Sequence, residues 1–257
     1  MAGFTVIPLL MVFYYGLTDR SGAFTLANIL AIGSYEHLKA LWLSLLLAGV
    51  STVICLILAY PLALILRKRH IGKGSFVVFI FILPMWMNFL LRTMAWQTLL
   101  EKNGVINTFL TLLHLPNVAI INTPAAIILG MVYNFLPFMV LPIYNVLVKI
   151  DKDVISAARD LGAGNIQTFT KIILPLSVPG IISGITMVFV PALTTFVISN
   201  LLGGSKILLI GNVIEQEFQQ GSNWHVGSGL SLVLMIFIIA SMALIAKYDK
   251  DGEGTAF

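Results

Sequence analysis

The chain has 257 residues, of which 58% are hydrophobic and only 10% are charged. A soluble domain usually carries about a quarter charged residues, and it lacks the interior for this much apolar sequence. The composition therefore predicts a protein whose solvent is the lipid bilayer. The net charge of +4 does not indicate nucleic-acid binding, because the basic residues lie in short loops between apolar runs and form no stripe with interleaved aromatics.

Six apolar stretches are long enough to cross a bilayer, and they lie roughly at residues 2–18, 40–66, 75–100, 125–148, 177–202 and 229–247. A spanning helix needs about 20 mostly apolar residues, and no stretch shows the strict alternation of a barrel strand. The predicted fold class is an all-α integral membrane protein with six transmembrane helices in one domain, residues 1–257. The first stretch contains Pro8, and a signal peptide or missing N-terminal residues are alternatives for it, although it has no basic n-region.

Lysine and arginine residues predict the orientation of these helices. With the N-terminus inside, ten lie in inner loops or the C-terminal tail and four lie in outer loops. The inner ones are Arg67, Lys68, Arg69, Lys73, Lys149, Lys152, Arg159, Lys171, Lys247 and Lys250, and the outer ones are Arg20, Lys39, Lys102 and Lys206. Because cytoplasmic loops carry the excess of basic residues, both termini are expected inside the cell.

All eleven carboxylates lie outside the six predicted spans. Proton- or sodium-coupled carriers commonly place ionisable groups near the membrane midplane, so a stand-alone secondary carrier is disfavoured. The chain also lacks a glycine-rich phosphate loop ending in Gly-Lys-Ser/Thr. If this protein drives transport, the energy is therefore expected to come from a partner.

The longest inner loop, about residues 149–176, contains an amphipathic helical pattern. The apolar residues at spacings of three and four are Val154, Ile155, Ala158, Leu161 and, beside them, Ala157. Asp151 or Asp153 is placed to cap this helix, and Gly162 and Gly164 are placed to end or turn it. A second short segment follows at 165–173. From these residues alone, the helix either lies on the lipid surface or docks into a partner protein.

The spacing in this loop resembles the EAA loop of ABC importer permeases, which reads Glu-Ala-Ala, three residues, Gly, nine residues and Ile-x-Leu-Pro. The chain has Ala157-Ala158, Gly162 and Ile172-Ile173-Leu174-Pro175 at that spacing, with Ser156 in place of the usual Glu. The resemblance implies a coupling helix, in a loop between spans four and five, that docks in a groove of an ATPase subunit. The predicted coupling residues are Ser156, Ala157, Ala158, Leu161, Gly162, Ile172, Leu174 and Pro175.

Further stretches resemble the B-type permease subunits of spermidine/putrescine importers over nearly the whole chain. They include residues 60–63, 83–86, 91–96, 136–139, 160–163, 201–204 and 211–214. The resemblance implies import of polyamines by alternating access, and related permeases carry iron, thiamine or phosphonates instead. It also implies a bacterial inner or plasma membrane location and four partners: an ATPase dimer that holds ATP and Mg, a second and different permease subunit, an extracytoplasmic binding protein, and lipid.

Polar residues within or next to the spans are candidates for a substrate pathway. They are Asn88, Arg92, Trp96, Tyr133, Asn134, Thr194, Thr195, Asn200 and Glu215. Asn88, Arg92 and Trp96 recur every four residues and are expected on one face of span three. Each candidate has a structural alternative. Arg92 could reach towards the outer surface, the hydroxyls could serve helix packing, and Glu215 could simply be solvated.

No residue pattern in the chain predicts enzyme chemistry. The four histidines lack the spacing of a metal site, and no serine–histidine–acid or paired-carboxylate arrangement is evident. The single cysteine, Cys55, lies inside an apolar run and is expected to be a small core or lipid-facing residue. We expect no metal and no cofactor in this chain, and an intramembrane enzyme is the least favoured alternative.

Overall fold

Helices account for the regular structure of the computed structural model, which describes residues 2–68, 83, 85–204, 206–219 and 223–250. In chain order they are α1 (Ala2–Leu17), α2 (Ala27–Leu30), α3 (Tyr35–Lys68), α4 (Phe89–Leu100), α5 (Val105–Leu112), α6 (Pro124–Lys149), α7 (Lys152–Asp160), α8 (Asn165–Thr168), α9 (Leu174–Thr194), α10 (Val197–Leu202), α11 (Ile210–Gln219) and α12 (Trp224–Lys250). A 3-10 turn, Ala31–Gly33, precedes α3, and a π-helical turn, Phe169–Ile173, joins α8 to α9. The predicted all-α class is confirmed for these residues.

Within the described part of the chain, four helical segments are long and apolar enough to cross a membrane: Tyr35–Arg67, Pro124–Lys149, Asn165–Thr194 and Trp224–Ala243. They correspond to the predicted spans two, four, five and six. The predicted first span is a shorter apolar helix, Gly3–Leu17. Residues 75–82 and 84 of the predicted third span, 75–100, lie outside the described residues, and its described part contains α4. The total of six spans therefore stays a prediction.

The centre of the molecule is formed by α3, α6 and α9, which pack against one another. Small residues permit this close approach. A Cβ atom on Gly180 of α9 would lie only 2.9 Å from the carbonyl oxygen of Pro142 and 3.1 Å from the Cα of Ile143, both on α6. Cys55 of α3 is fully buried in the same core, so its prediction as a core residue is confirmed.

Much of the outer surface is apolar, as expected of a chain that faces lipid. Exposed large side chains line α1 and α3, among them Leu10, Phe13, Trp42, Val53 and Ile57. Soluble monomers rarely expose a continuous apolar surface of this kind. Serine and threonine hydroxyls inside the helices instead bond to backbone carbonyls, as in Thr52 to Ala48, so that few polar groups remain unsatisfied in the hydrocarbon.

Polar side chains from α2 and α12 contact the backbone at the C-terminal end of the N-terminal helix, α1. The Asn28 amide donates to the Thr18 carbonyl oxygen at 2.9 Å, and the His225 ring contacts the same oxygen at 2.6 Å. These contacts satisfy a carbonyl group that has no partner within α1. The helix α1 is therefore joined to the C-terminal span rather than to the central three helices.

The predicted fifth span, 177–202, is interrupted in the structure. Helix α9 begins earlier, at Leu174, and ends at Thr194, because Thr195 has an extended backbone (φ −68°, ψ 137°). The buried Asn212 of α11 donates to the Phe196 carbonyl oxygen at 3.1 Å and thereby satisfies a polar group at the break. The prediction of one continuous helix is wrong here, since a side chain distant in sequence stabilises the interruption.

Candidate functional site

Helices α7 and α8 form a hairpin that leads from α6 into α9. The Asp151 carboxylate caps α7 by accepting from the Asp153 amide at 3.0 Å, as the sequence predicts. At the other end Gly162 has φ +85°, its amide donates to Arg159, and the next amide, of Ala163, donates to Ala158. This pair of bonds is a Schellman motif, for which glycine is favoured. The predicted turn at Gly162 is confirmed.

Two contacts attach the segments that flank this hairpin to α3, and a third joins α3 to α9. The Arg67 guanidinium donates through Nη2 to the Ile150 carbonyl oxygen at 3.1 Å. Phe169 meets the ring of Tyr60 edge-on, with centroids 5.8 Å apart. The Tyr60 hydroxyl in turn lies 2.8 Å from the Ser177 hydroxyl. The two ends of the hairpin are therefore in contact with α3, which in turn contacts α9.

The tip of the hairpin is exposed and apolar. Leu161 is 89% exposed and Ile166 is 79% exposed. Ser156 and Ala157 are also exposed, whereas Ala158 is half-buried. The other predicted coupling residues, Ile172, Leu174 and Pro175, lie further on, in the π turn and the start of α9. The structure thus brings five of the predicted residues to the hairpin and leaves three on the helix that continues from it. Their role in coupling stays a prediction.

A first group of predicted pathway residues lies between α4 and α6. The rings of Trp96 and Tyr133 contact each other edge-on at 5.2 Å. The Asn134 amide is buried, donates to the Gly130 carbonyl oxygen at 2.9 Å, and has no hydrogen-bond partner for its Oδ1 among the described residues. Arg92 is only 7% exposed, and its Nε and Nη1 also have no partner there. The prediction that Arg92 could reach outward is not met in this structure.

Asn88 differs from the expectation that it shares a helix face with Arg92 and Trp96. Helix α4 begins at Phe89, and the Asn88 side chain caps it by accepting from the Leu90 and Leu91 amides at 2.9 and 3.3 Å. Asparagine is a favoured cap because its oxygen satisfies these amide donors. The side-chain oxygen of Asn88 already accepts hydrogen bonds from α4, so Asn88 is the weakest pathway candidate.

A second group forms around the break between α9 and α10. Asn200 donates to a Glu215 carboxylate oxygen at 3.0 Å and accepts from the Asn212 amide at 2.7 Å. Thr194 bonds back to the Val190 carbonyl oxygen at 3.1 Å, and Thr195 supplies the extended residue of the break. Glu215 is carried by the short helix α11, in the segment between α10 and α12.

An open cavity of about 360 Å³ adjoins this second group. It is lined by Thr194, Phe196, Gly211, Ile214, Glu215, Phe218, Gln219 and Leu234. The sequence predicted Thr194 and Glu215 but missed the aromatic residues Phe196 and Phe218. Phe218 lies three residues after Glu215 on α11, so helical spacing could have placed it beside the carboxylate. A carboxylate next to aromatic rings is chemistry that suits an organic cation.

The two groups are connected through α10, which packs against both α4 and α6. Thr194 and Glu215 share one cavity, Trp96 and Tyr133 share one contact, and Arg92 and Asn134 are buried close to that contact along the chain. Only Asn88 is used differently. The candidate pathway therefore consists of these two neighbouring groups of polar residues within an otherwise apolar bundle.

Apolar helices long enough to cross a membrane, with polar side chains buried among them and an exposed hairpin between two of them, are typical of membrane transport subunits. Residues 59–248 match the family described as "Binding-protein-dependent transport system inner membrane component". The chain belongs to this family, which confirms the resemblance seen in the loop sequence. It is a multi-pass membrane protein of a family of transport components.

The chain is also similar over almost its full length to curated relatives. It is 39% identical to the spermidine/putrescine transport system permease protein PotB of Haemophilus influenzae, covering 96% of this chain and 89% of that protein. It is equally 39% identical to PotB of Escherichia coli K12, covering 94% and 90%. Identity to the inner membrane ABC transporter permease protein YdcU of Escherichia coli is 31%, covering 87% and 75%.

Solved structures share the fold at low sequence identity. A chain of a bacterial ABC transporter for import of the acidic polysaccharide alginate superposes with a TM-score of 0.75 at 17% identity, covering 96% of this chain and 90% of that chain. The alginate transporter in complex with a pentasaccharide-bound periplasmic protein gives 0.73 at 17% identity. At this identity the comparison shows the fold alone.

Proposed function

We propose that this chain is the permease subunit of an ATP-driven importer of polyamines such as spermidine and putrescine. The observation that carries the substrate is the 39% identity to PotB proteins over nearly the whole of both chains. The YdcU relationship is weaker, at 31% identity. Iron, thiamine and phosphonates, carried by other permeases of this kind, are the alternative substrates.

The geometry of the second polar group supports a cationic substrate. The Glu215 carboxylate faces a cavity that it shares with Phe196 and Phe218. An ammonium group is attracted both to a carboxylate and to aromatic faces. The Glu215 carboxylate accepts hydrogen bonds from the neutral side-chain amides of Asn200 and Gln219, so these partners do not neutralise its negative charge.

The rest of the arrangement follows from this assignment. Six spans place both termini and the α7–α8 hairpin inside the cell. The hairpin docks by its exposed tip into an ATPase subunit, which holds ATP and Mg and hydrolyses the nucleotide. A second permease subunit covers part of the exposed apolar surface, and an extracytoplasmic binding protein delivers the substrate. This chain supplies the pathway and the mechanical link, with no chemistry of its own.

Uptake by the assembled complex tests the proposal. The chain is co-expressed with the ATPase, second permease and binding protein encoded beside it and reconstituted in vesicles. ATP-dependent, saturable uptake of labelled spermidine that requires the binding protein is the expected result. The control is the same complex with an ATPase variant that binds but does not hydrolyse ATP.

The outcomes separate the parts of the proposal. If the binding protein stimulates ATP hydrolysis but neither spermidine nor putrescine moves, the importer assignment stands and the polyamine assignment is wrong. A screen of iron, thiamine and phosphonates then follows. Uptake that continues without an ATPase subunit would contradict the importer assignment itself and would favour a secondary carrier.

A further inference from the structure

A second cavity, of about 540 Å³, lies between the hairpin and the end of α3. It is lined by Leu64, Arg67, Lys152, Ile155, Arg159, Asn165, Thr168, Phe169 and Ile173. Three of these residues are basic and none is acidic. The proposed coupling role of the hairpin does not use this cavity, because the exposed hairpin tip does not line it.

The two arginines retain most of their hydrogen-bonding capacity. Arg67 makes one bond, from Nη2 to the Ile150 carbonyl oxygen at 3.1 Å. Arg159 makes one long bond, from Nη2 to Asn165 at 3.4 Å. A guanidinium group has five N–H donors, and within the described part of the chain neither arginine forms an ion pair. Both groups are therefore available to an anion, and arginine binds phosphate in a bidentate manner.

The neighbouring acids do not neutralise this cavity from within. Asp151 is used as the cap of α7, and neither it nor Asp153 nor Asp160 is among the lining residues. All three carboxylates are exposed to solvent. The cavity itself therefore presents positive charge.

Helix α7 presents two different faces. At 100° per residue, Lys152, Ile155 and Arg159 lie within one narrow sector, and all three line the cavity. Val154, Ala157 and Leu161 lie roughly on the opposite side, and all three are exposed. A ligand in the cavity and a protein docked on the other face therefore do not compete for the same side chains.

The walls of the cavity are apolar as well as basic. Leu64, Ile155, Phe169 and Ile173 form its hydrophobic part, and Arg67 lies at the last residue of the apolar segment Tyr35–Arg67. The cavity is therefore at the level where a spanning helix leaves the hydrocarbon. A phosphate group attached to a glycerol and acyl chain satisfies both the basic and the apolar surfaces, whereas free phosphate uses only the first.

We propose that this cavity is a binding site for the headgroup of an anionic phospholipid, which joins the end of α3 to the hairpin through Arg67 and Arg159. The site goes beyond the transport assignment, but its position at the inner leaflet rests on the proposed orientation. The bound lipid bridges a spanning helix and the element that contacts the ATPase. Its occupancy therefore stabilises the hairpin in the position that transmits movement to α9.

The test compares two single variants of equal charge in the assembled complex. Arg159→Gln removes one arginine from the cavity, whereas Lys171→Gln removes one exposed cation that does not line it. Binding of spin-labelled phosphatidylglycerol is measured in phosphatidylcholine nanodiscs. We expect the cavity variant to lose about fivefold in affinity, since one basic residue near an anionic surface contributes roughly that factor, and the control variant to keep its affinity.

Each other outcome overturns the proposal. Equal losses in both variants would indicate diffuse attraction to the anionic surface. Displacement of the labelled lipid by inorganic phosphate alone would assign the cavity to a soluble phosphate. A cavity variant that loses co-purifying ATPase while binding phosphatidylglycerol normally would assign the basic face to a protein. Spermidine uptake is measured separately, so a failed lipid site and a failed transport assignment give different results.

Discussion

Gly162 and Gly164 lie two residues apart in the same hairpin, and no atom lies within 4 Å of a Cβ built on either of them. They differ in backbone conformation, since Gly162 has φ +85° and Gly164 has φ −68°. A left-handed conformation costs an L-residue about 1–2 kcal/mol. Because a methyl group has space at both positions, alanine substitution at these two glycines tests backbone strain alone.

We predict that Gly162→Ala lowers ATP-dependent uptake about fivefold, because about 1 kcal/mol of strain depopulates the native turn, while the spans remain folded. Gly164→Ala is the matched control and is expected to leave uptake nearly unchanged. Uptake, complex yield and thermal unfolding are measured for both. If Gly162→Ala left both assembly and uptake unchanged, the coupling role of the hairpin would be wrong.

The charge of Glu215 gives a second prediction at this scale. Glu215→Gln keeps the side chain's shape but removes the carboxylate that faces Phe196 and Phe218. A hydrogen bond to a charged group contributes about 1.5–3 kcal/mol, so the apparent affinity for spermidine in uptake is expected to fall at least about tenfold. Glu217→Gln is the control, because Glu217 lines a different cavity together with Lys206. Equal effects of the two substitutions would show that only the overall charge of the outer loop matters.

Arg92 gives a prediction about stability rather than transport. Two of its nitrogens are buried without a partner among the described residues, and such a group costs about 1–3 kcal/mol. Arg92→Met is therefore expected to raise the free energy of unfolding of the isolated subunit. Thermal unfolding in detergent measures this, with Arg92→Lys as the charged control. A clear destabilisation by Arg92→Met would mean that the guanidinium has an acceptor after all.

At the scale of whole helices, the contact between α6 and α9 depends on two glycines with different neighbours. A Cβ on Gly180 would meet backbone atoms of Pro142 and Ile143, which cannot move independently. A Cβ on Gly184 would first meet the sulfur of Met139 at 2.6 Å, and this flexible side chain can rotate away.

We expect Gly180→Ala to destabilise the subunit by about 1–3 kcal/mol, because overpacking forces the two helices apart, and Gly184→Ala to cost less. The measurement is unfolding in mixed micelles with increasing denaturing detergent. A larger effect at Gly184 would show that the α6–α9 contact is looser than the structure indicates.

The helices were largely predictable from the length of the apolar stretches. Two helices of the core, α3 and α6, extend only a few residues beyond the predicted bounds. The hairpin was predictable because its cap at Asp151 and its turn at Gly162 are local in sequence. The break after Thr194 was not, because Asn212 satisfies it from another helix. Phe196 and Phe218 were missed for the same reason, since their shared cavity arises only from tertiary contact.

For the molecule as a whole, the orientation in the membrane is testable because the one native cysteine, Cys55, is fully buried and gives little background. Leu161→Cys is expected to react with a membrane-impermeant maleimide only in inverted vesicles stripped of peripheral proteins, because Leu161 is 89% exposed in a loop predicted to lie inside. Leu113→Cys, at a site that is 53% exposed in a loop predicted to lie outside, is expected to react in intact cells. The reverse pattern would contradict the basic-residue rule for this chain.

The segment from Asn165 to Thr194 is helical over 30 residues, including the π turn, and is about 45 Å long at the rise of an α-helix. One end belongs to the hairpin, and the other ends at the cavity that contains Glu215. A rigid helix of this length converts a small tilt at one end into a large displacement at the other. If it pivots near one end, a tilt of about 10° displaces the other by about 8 Å, which is comparable to the separation of two packed helices. We therefore predict that a small rotation imposed at the hairpin is amplified into a movement large enough to open or close the proposed pathway.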